Sequence, residues 1–151
     1  MPELTLEIIT GDDMEDLLTL DSERLGDYAA HVLRGEGVSE GEINIVFIDD
    51  QYMTELNEMY KGREGTTDVL SFNLSGESSG GVNGEVYVSL EQAVTQAAEL
   101  GVPFDEEVVR LMTHGLLHLA GRVHDTEDQY TAMMDAPELL VREFFSNWGK
   151  N

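Results

Sequence analysis

The 151-residue sequence contains no cysteine, few prolines and one tryptophan. It has only eight lysines and arginines, compared with 31 aspartates and glutamates. The absence of cysteine excludes disulfides and thiolate metal sites, and it suits a reducing compartment. No apolar run approaches the roughly 20 residues of a membrane span, and the first residues lack the basic and apolar regions of a secretory signal. We therefore expect a cytoplasmic protein without membrane association.

The shortage of cations gives a formal net charge of −23 at pH 7. High net charge is one mark of disorder, but the regularly spaced apolar segments and a hydrophobic content of 41% are typical of a folded domain. The alternative is a solvated surface in a salt-rich cytosol, where ions screen the repulsion between carboxylates. We favour this second interpretation, although such a charge taken alone argues against nucleic-acid binding.

The apolar periodicity predicts a single domain over residues 1–151, of the α+β class. Alternating or β-branched segments predict strands at residues 4–9, 42–49, 69–74 and 85–90. About five helices are predicted, beginning at Asp21 or Ser22, at Asp49 or Asp50, and near residues 91, 103 and 125–128. Hairpin and crossover connections then indicate a small mixed sheet packed against the helices. The fourth helix is apolar on most sides and should be central and buried, whereas Pro137 should interrupt the last one.

Three of the four histidines lie close together at the end of the predicted central helix: His114, His118 and His124. His114 and His118 stand four residues apart, so both imidazoles project from one helix face. Gly121 predicts the end of the helix, followed by a turn that can bring His124 back towards the other two. Three neutral imidazoles without a fourth protein ligand describe an open zinc site. The remaining histidine, His31, is predicted to be structural.

Unrelated polar residues near a helix end are the alternative interpretation of these histidines. Two histidines on an apolar helix favour the metal site, because buried imidazoles need a partner. The spacing also occurs in zinc proteases, whose general-base glutamate directly follows the first histidine. Gly115 occupies that position here, which argues against a peptidase.

The segment HGLLHLAGRVH, residues 114–124, resembles the His-Gly-x-Leu-His-Leu-x-Gly-Tyr-Asp-His motif of the YbeY-type proteins. These are bacterial endoribonucleases and ribosomal RNA maturation factors. LNEMYKGREGTTDVLSF (56–72) is similar to the family's Asn-x-x-Tyr-Arg segment leading into Thr-Asp-Val-Leu-Ser-Phe, and GEVYVSLEQA (84–93) to its Gly-Asp-Ile-x-Ile-Ser junction. The resemblance extends from about Glu42 to Leu140.

This resemblance implies an α+β fold with a metal in a cleft, where His114, His118 and His124 hold one zinc ion per chain. It implies a zinc-dependent, single-strand-specific endoribonuclease that acts in ribosomal RNA processing and ribosome maturation. The implied partners are ribosomal RNA and the small ribosomal subunit, with no DNA. The oligomeric state stays open.

The sequence also departs from the family pattern. Lys61 stands where the family has a functional arginine, and it lacks the bidentate fork of a guanidinium. Arg63 is a second candidate for the phosphate contact, and a solvated loop charge is an equally good interpretation of it. Arg122 and Val123 replace the family's Tyr-Asp, and Glu85 replaces an aspartate.

Three carboxylates are candidates for a general base: Asp68, Asp125 and Glu127. For each of them, helix capping or a turn hydrogen bond is the competing role. The attacking group, a water molecule or the RNA 2′-hydroxyl, stays open. Two other functions remain: a non-enzymatic ribosome-assembly module stabilised by zinc, and a metal-dependent hydrolase of another substrate.

Overall fold

A computed structural model describes residues 3–11, 14–75, 81–121 and 127–148, with the backbone alone for 127–134, 147 and 148. The described chain forms four strands, which are β1 (Leu4–Thr10), β2 (Gly41–Ile48), β3 (Val69–Asn73) and β4 (Gly84–Ser89). Its five α-helices are α1 (Ser22–Gly35), α2 (Asp50–Lys61), α3 (Leu90–Leu100), α4 (Phe104–Leu119) and α5 (Glu127–Glu143). A π-helical segment, Phe144–Trp148, follows α5. The predicted α+β class is confirmed.

The strands form one mixed sheet in the order β1-β2-β4-β3. β1 pairs with β2 and β2 with β4 in parallel, while β3 and β4 are antiparallel, with Val69 opposite Val88 and Asn73 opposite Gly84. The predicted mixture of crossover and hairpin connections is therefore confirmed. Residues 76–80 of the hairpin connection lie outside the described residues.

The sheet is covered on both faces because its inner strands alternate large apolar side chains. One face packs against α1 and α4 and forms the main core, with Ile43, Ile45, Phe47, Val86 and Val88 at its centre. The opposite face holds a smaller cluster under α2, formed by Ile48, Met53 and Leu70. Burial of these side chains contributes roughly 1.5–3 kcal/mol for each large one.

The helix starts follow the expected capping chemistry. Asp21 caps α1, accepting a hydrogen bond from the Glu23 backbone N–H at 3.0 Å, and Asp49 caps α2 through the Tyr52 N–H at 2.8 Å. In each pair of candidates, the first residue is thus the cap.

The expected interruption at Pro137 is wrong, because α5 continues through this residue to Glu143. A proline inside a helix removes one hydrogen bond and crowds the preceding turn. The helix is nevertheless held on α4, since Glu138 binds Arg110 and Val141 joins the main core. Tertiary packing therefore overrides the local signal.

Helix α4 is the central helix of the fold, as predicted. It packs against β3, β4, α1, α3 and α5, and ten of its residues are buried. Within this core, the hydroxyls of Tyr28 on α1 and Thr113 on α4 form a hydrogen bond of 2.7 Å. Across the described residues, no helix is both long and apolar enough to cross a membrane.

Candidate active site

Two of the predicted metal ligands lie side by side on α4. The ring centroids of His114 and His118 are 5.0 Å apart, and both residues are half-buried. They line a cavity of about 400 Å³ that is also lined by the predicted site residues Lys61, Arg63 and Asp68. The structure thus brings together five of the eight residues named as candidates from the sequence.

Gly115 allows α4 to approach the sheet closely enough to form this cavity. A Cβ atom at Gly115 would lie 2.5 Å from Cγ1 of Val86 and 2.9 Å from Cγ2 of Val69, closer than real contacts allow. The Ser71 hydroxyl donates to the Gly115 carbonyl at 2.7 Å. A glutamate at this position would collide with the sheet, which agrees with the argument against a peptidase.

The two cations lie at the end of α2 and in the loop that follows. Asn57, a buried residue of α2, holds this loop with two hydrogen bonds. Its side-chain amide donates to the Gly65 carbonyl at 3.0 Å, and its backbone carbonyl accepts from the Arg63 N–H at 3.3 Å. The Lys61 ammonium lies 5.1 Å from the centre of the Phe72 ring, within cation–π range.

Asp68 lies between this loop and β3, and both of its carboxylate oxygens accept hydrogen bonds. The Val69 backbone N–H donates to Oδ1 at 2.8 Å, and the Gln96 side chain donates to Oδ2 at 3.2 Å. Asp68 therefore makes a local hydrogen bond from its side chain to the backbone of the next residue. It also fixes the carboxylate on the cavity wall, so the two roles considered for Asp68 are compatible.

Sequence reasoning missed Ser71 and Asn73, which line the same cavity. They alternate with Leu70 and Phe72 along β3, so the period of two in a strand was the available signal. It also missed Gln96, which reaches Asp68 from α3, and no local pattern in the sequence marks that residue.

The third predicted ligand, His124, lies outside the described residues, as do Arg122, Val123 and Asp125, and only the backbone is described for Glu127. Gly121 does end α4, with φ of +103° and its N–H donating to the His118 carbonyl at 3.0 Å. Among residues that the structure describes, no group of three or more metal-binding side chains is found. His31 lies elsewhere, with Nε2 at 2.6 Å from the Glu143 carboxylate.

The donors that are described fit a zinc ion. Two imidazoles separated by one helical turn present nitrogen ligands to one cavity, and nitrogen is a preferred donor for zinc. The sequence places His124 a few residues after the end of α4.

An ionic cluster joins α4 to α5 near these histidines. The Arg110 guanidinium contacts Glu107 at 2.6 Å, Glu138 at 2.7 Å and Glu106 at 2.9 Å. Glu107 is only 2% exposed, and this burial raises the pKa of its carboxyl, while the contact with Arg110 lowers it. Arg110, Glu107 and His114 line a second cavity of about 550 Å³, which shares Asp68, Val69 and His114 with the first.

Comparison with known proteins identifies relatives over most of the chain. A sequence model described as Endoribonuclease YbeY matches residues 12–144. The chain is 40% identical to the endoribonuclease YbeY of Flavobacterium psychrophilum over 76% of its own length and 75% of that protein. It is 31% identical to the same enzyme of Geobacillus thermodenitrificans over 93% of its length and 97% of that protein.

A solved structure agrees with these sequence relatives. The solution structure of TM1509 from Thermotoga maritima superposes with a TM-score of 0.65 at 26% identity, covering 95% of this chain and 91% of that one. The family resemblance stated from the motifs is confirmed, and the chain belongs to the endoribonuclease YbeY family.

Proposed function

We propose that this protein is a zinc-dependent endoribonuclease that cleaves single-stranded regions of ribosomal RNA during ribosome maturation. Membership of the endoribonuclease YbeY family supports a nuclease of the hydrolase class. One observation carries the proposal, namely that cations and a carboxylate from distant segments share a cavity with the two histidines of α4. This combination suits a reaction at a phosphodiester group.

In this proposal His114, His118 and His124 hold the zinc ion. When bound, the ion would supply a Lewis acid and positive charge for the phosphoryl group. Both His114 and His118 are half-buried and line the cavity. Gly115 keeps both imidazoles beside β3, so the close packing of α4 on the sheet orients the ligands.

Lys61 and Arg63 are proposed to bind the phosphate, since they carry the positive charges among the described residues that line the cavity. Asn57 positions them by holding the loop. Asp68 is proposed to accept a proton from the attacking oxygen, and Gln96 orients its carboxylate.

The net charge of −23 does not prevent this binding, because affinity depends on local charge. The cavity wall has two cations and one carboxylate among its described residues. At about 1 M salt the Debye length falls to about 3 Å, so distant carboxylates hardly repel RNA. We further propose a cytoplasmic location, where ribosomal RNA and the small subunit are found, and no DNA substrate.

The two other functions predict different properties. A zinc-stabilised assembly module needs a closed site, and the cavity beside His114 and His118 supports an open one. A hydrolase of a substrate without a phosphoryl group would keep the histidines but have no need for the cations. Neither alternative uses all of the residues that line the cavity.

Cleavage of ribosomal RNA by zinc-loaded protein tests the proposal. We expect cuts in unpaired regions, in low and molar potassium chloride, and none with His118→Ala. The matched control is His31→Ala, which removes a histidine outside the cavity and should cleave normally. Equal cleavage by wild type and His118→Ala, or no cleavage by zinc-loaded wild type, would contradict it.

A further inference from the structure

Four aromatic rings form a row on the face of the sheet that α2 covers. Tyr52 is stacked on Tyr87 with centroids 6.3 Å apart, Tyr87 meets Phe72 edge to face at 5.8 Å, and Phe72 meets Tyr60 edge to face at 5.6 Å. We call this set the aromatic row. It combines two residues of α2 with one each of β3 and β4.

The aromatic row is continuous with the candidate active site through Lys61. The Lys61 ammonium lies 5.1 Å from the centre of the Phe72 ring, and the same side chain lines the histidine cavity. Tyr60 immediately precedes Lys61 at the end of α2. If an RNA strand contacts Lys61 through one phosphate, the aromatic rings therefore lie within reach of the neighbouring nucleotides of that strand.

Packing explains the inner half of the row but not the outer half. Phe72 and Tyr87 pack on the small core cluster under α2. Tyr60 and Tyr52, in contrast, are 62% and 48% exposed. Isolated exposed aromatics are common, but these two flank packed rings in a row that leads to the active site.

We propose that the aromatic row binds unpaired RNA bases, with Tyr60 and Tyr52 stacking on nucleotides next to the phosphate at Lys61. The inference rests on the proposed function, and it assigns the residues that select single strands. Stacking requires a base that is not already enclosed in a duplex, and it tolerates any base. It is also insensitive to net charge, which matters in a chain of charge −23.

Added salt distinguishes base stacking on the aromatic row from the electrostatic attraction between Lys61 and a phosphate. Attraction between Lys61 and a phosphate weakens as salt is added, whereas stacking persists. The aromatic row thus provides an affinity that survives molar potassium chloride. The Glu85 carboxylate accepts a hydrogen bond from the Tyr87 hydroxyl at 3.0 Å, so a negative charge lies near the middle of the aromatic row. We therefore expect the phosphates to pass on the side of Lys61.

Binding of labelled 2′-O-methyl oligoadenylate, which resists nucleases, tests the inference in molar potassium chloride. Each stacked base contributes about 1–3 kcal/mol, so Tyr60→Ala should weaken binding by about 5- to 150-fold. Tyr60→Phe keeps the ring and should bind normally, whereas Tyr60→Leu keeps only apolar surface and should resemble Tyr60→Ala. Leu139→Ala, at a 65% exposed site on α5, is the matched control and should bind like wild type.

An abasic oligomer of the same length separates stacking from phosphate binding. It should bind wild type and Tyr60→Ala equally, because it has nothing to stack. Equal affinity of Tyr60→Ala and wild type for oligoadenylate overturns the inference, even if RNA is cleaved. Loss of oligoadenylate binding in Tyr60→Ala, when wild-type protein does not cleave RNA, supports the aromatic row and overturns the nuclease function instead.

Discussion

Lys61 contacts two different features of the molecule, since its ammonium lies over the Phe72 ring and also lines the histidine cavity. The expected arginine would present a planar fork to a phosphate, whereas lysine presents a compact charge. The Phe72 ring restrains that charge at the cavity rim. The lysine therefore keeps a positive charge at the cavity, without the bidentate geometry that the proposed phosphate contact would have with arginine.

Substitution of Lys61 tests the proposed contact of this residue with a phosphate of the RNA. We expect Lys61→Ala to lower RNA cleavage by about tenfold or more with metal content unchanged, because a charged hydrogen bond is worth about 1.5–3 kcal/mol. Lys61→Arg should retain or raise activity through bidentate contacts. Steady-state cleavage rates and elemental analysis provide the comparison. Unchanged turnover in Lys61→Ala would transfer the role to Arg63, for which Arg63→Ala is the next variant.

Removal of His118 tests the metal site. The purified protein should contain about one zinc per chain, and His118→Ala should lose zinc and melt at a lower temperature. The melting temperature falls because an ion that binds only the folded state stabilises it. Elemental analysis and melting curves with and without chelator measure both effects. A chelator-insensitive melting temperature in the wild type would count against a metal site.

At the scale of single residues, the sequence predicted the proximity of those site residues that share a local pattern. His114 and His118 are four apart on a helix, so their proximity follows from helical geometry. Their distance to Lys61 does not follow in this way, because it depends on how closely α4 approaches β3. Gln96 has no sequence signal, since its role arises from a contact between α3 and Asp68. The role of His124 stays a prediction.

The packing of α4 on the sheet depends on the missing side chain of Gly115. Alanine favours a helix by about 1 kcal/mol relative to glycine, but overpacking costs about 1–3 kcal/mol. Because the added Cβ would lie 2.5 Å from Val86, we expect an overpacking cost at the upper end of this range. Gly115→Ala should therefore destabilise the protein by about 1–2 kcal/mol and lower zinc affinity. Urea unfolding is the measurement.

Gly26→Ala is the matched control for this substitution. It also lies inside a helix, α1, and its added Cβ would be 4.0 Å from that of Leu6, an ordinary contact. We expect this variant to be as stable as wild type or more so. If Gly115→Ala were equally stable, the close approach of α4 would not limit the site.

The α4–α5 contact depends on Arg110, and its removal should have a pH-dependent effect. Arg110→Leu leaves Glu107 buried without its partner, which costs about 3 kcal/mol at neutral pH and raises the pKa of Glu107 further. A raised carboxyl pKa means that stability is present at low pH and lost as pH rises through that pKa. The stability difference from wild type should thus shrink on acidification.

Chemical unfolding from mildly acidic to neutral pH measures this difference. Arg142→Leu, an exposed position on α5, removes the same charge and is the control, with little expected effect at any pH. A stability loss for Arg110→Leu that does not vary with pH would show that Glu107 is not responsible.

Elements were more predictable than their contacts. Strand and helix positions followed from periodicity and capping residues, because these are local signals. The continuation of α5 through Pro137 could not be foreseen, since it depends on contacts with α4 made by Glu138 and Val141. The order of strands in the sheet likewise needed the structure.

At the scale of the whole molecule, the charge of −23 predicts a strong response to salt. Unscreened carboxylates repel one another over a Debye length of about 30 Å at 0.01 M salt. Potassium chloride should therefore raise the melting temperature well beyond its effect on a protein of balanced charge. Melting curves in potassium chloride and in potassium sulfate separate screening from salting-out. Stability that is flat or falls with chloride would refute the interpretation that the acidic surface suits a salt-rich cytosol.

The position of β1 at the margin of the sheet has a consequence for how copies of this protein meet. Of the described strands, β1 is hydrogen-bonded to β2 alone, which leaves a seven-residue edge able to pair with another chain. Between two molecules, like charge opposes that encounter. Near the isoelectric point of about 4.1 the repulsion disappears, and the edge becomes a site where aggregation can begin. The carboxylates that destabilise the folded protein at low salt thus also prevent association between protein molecules.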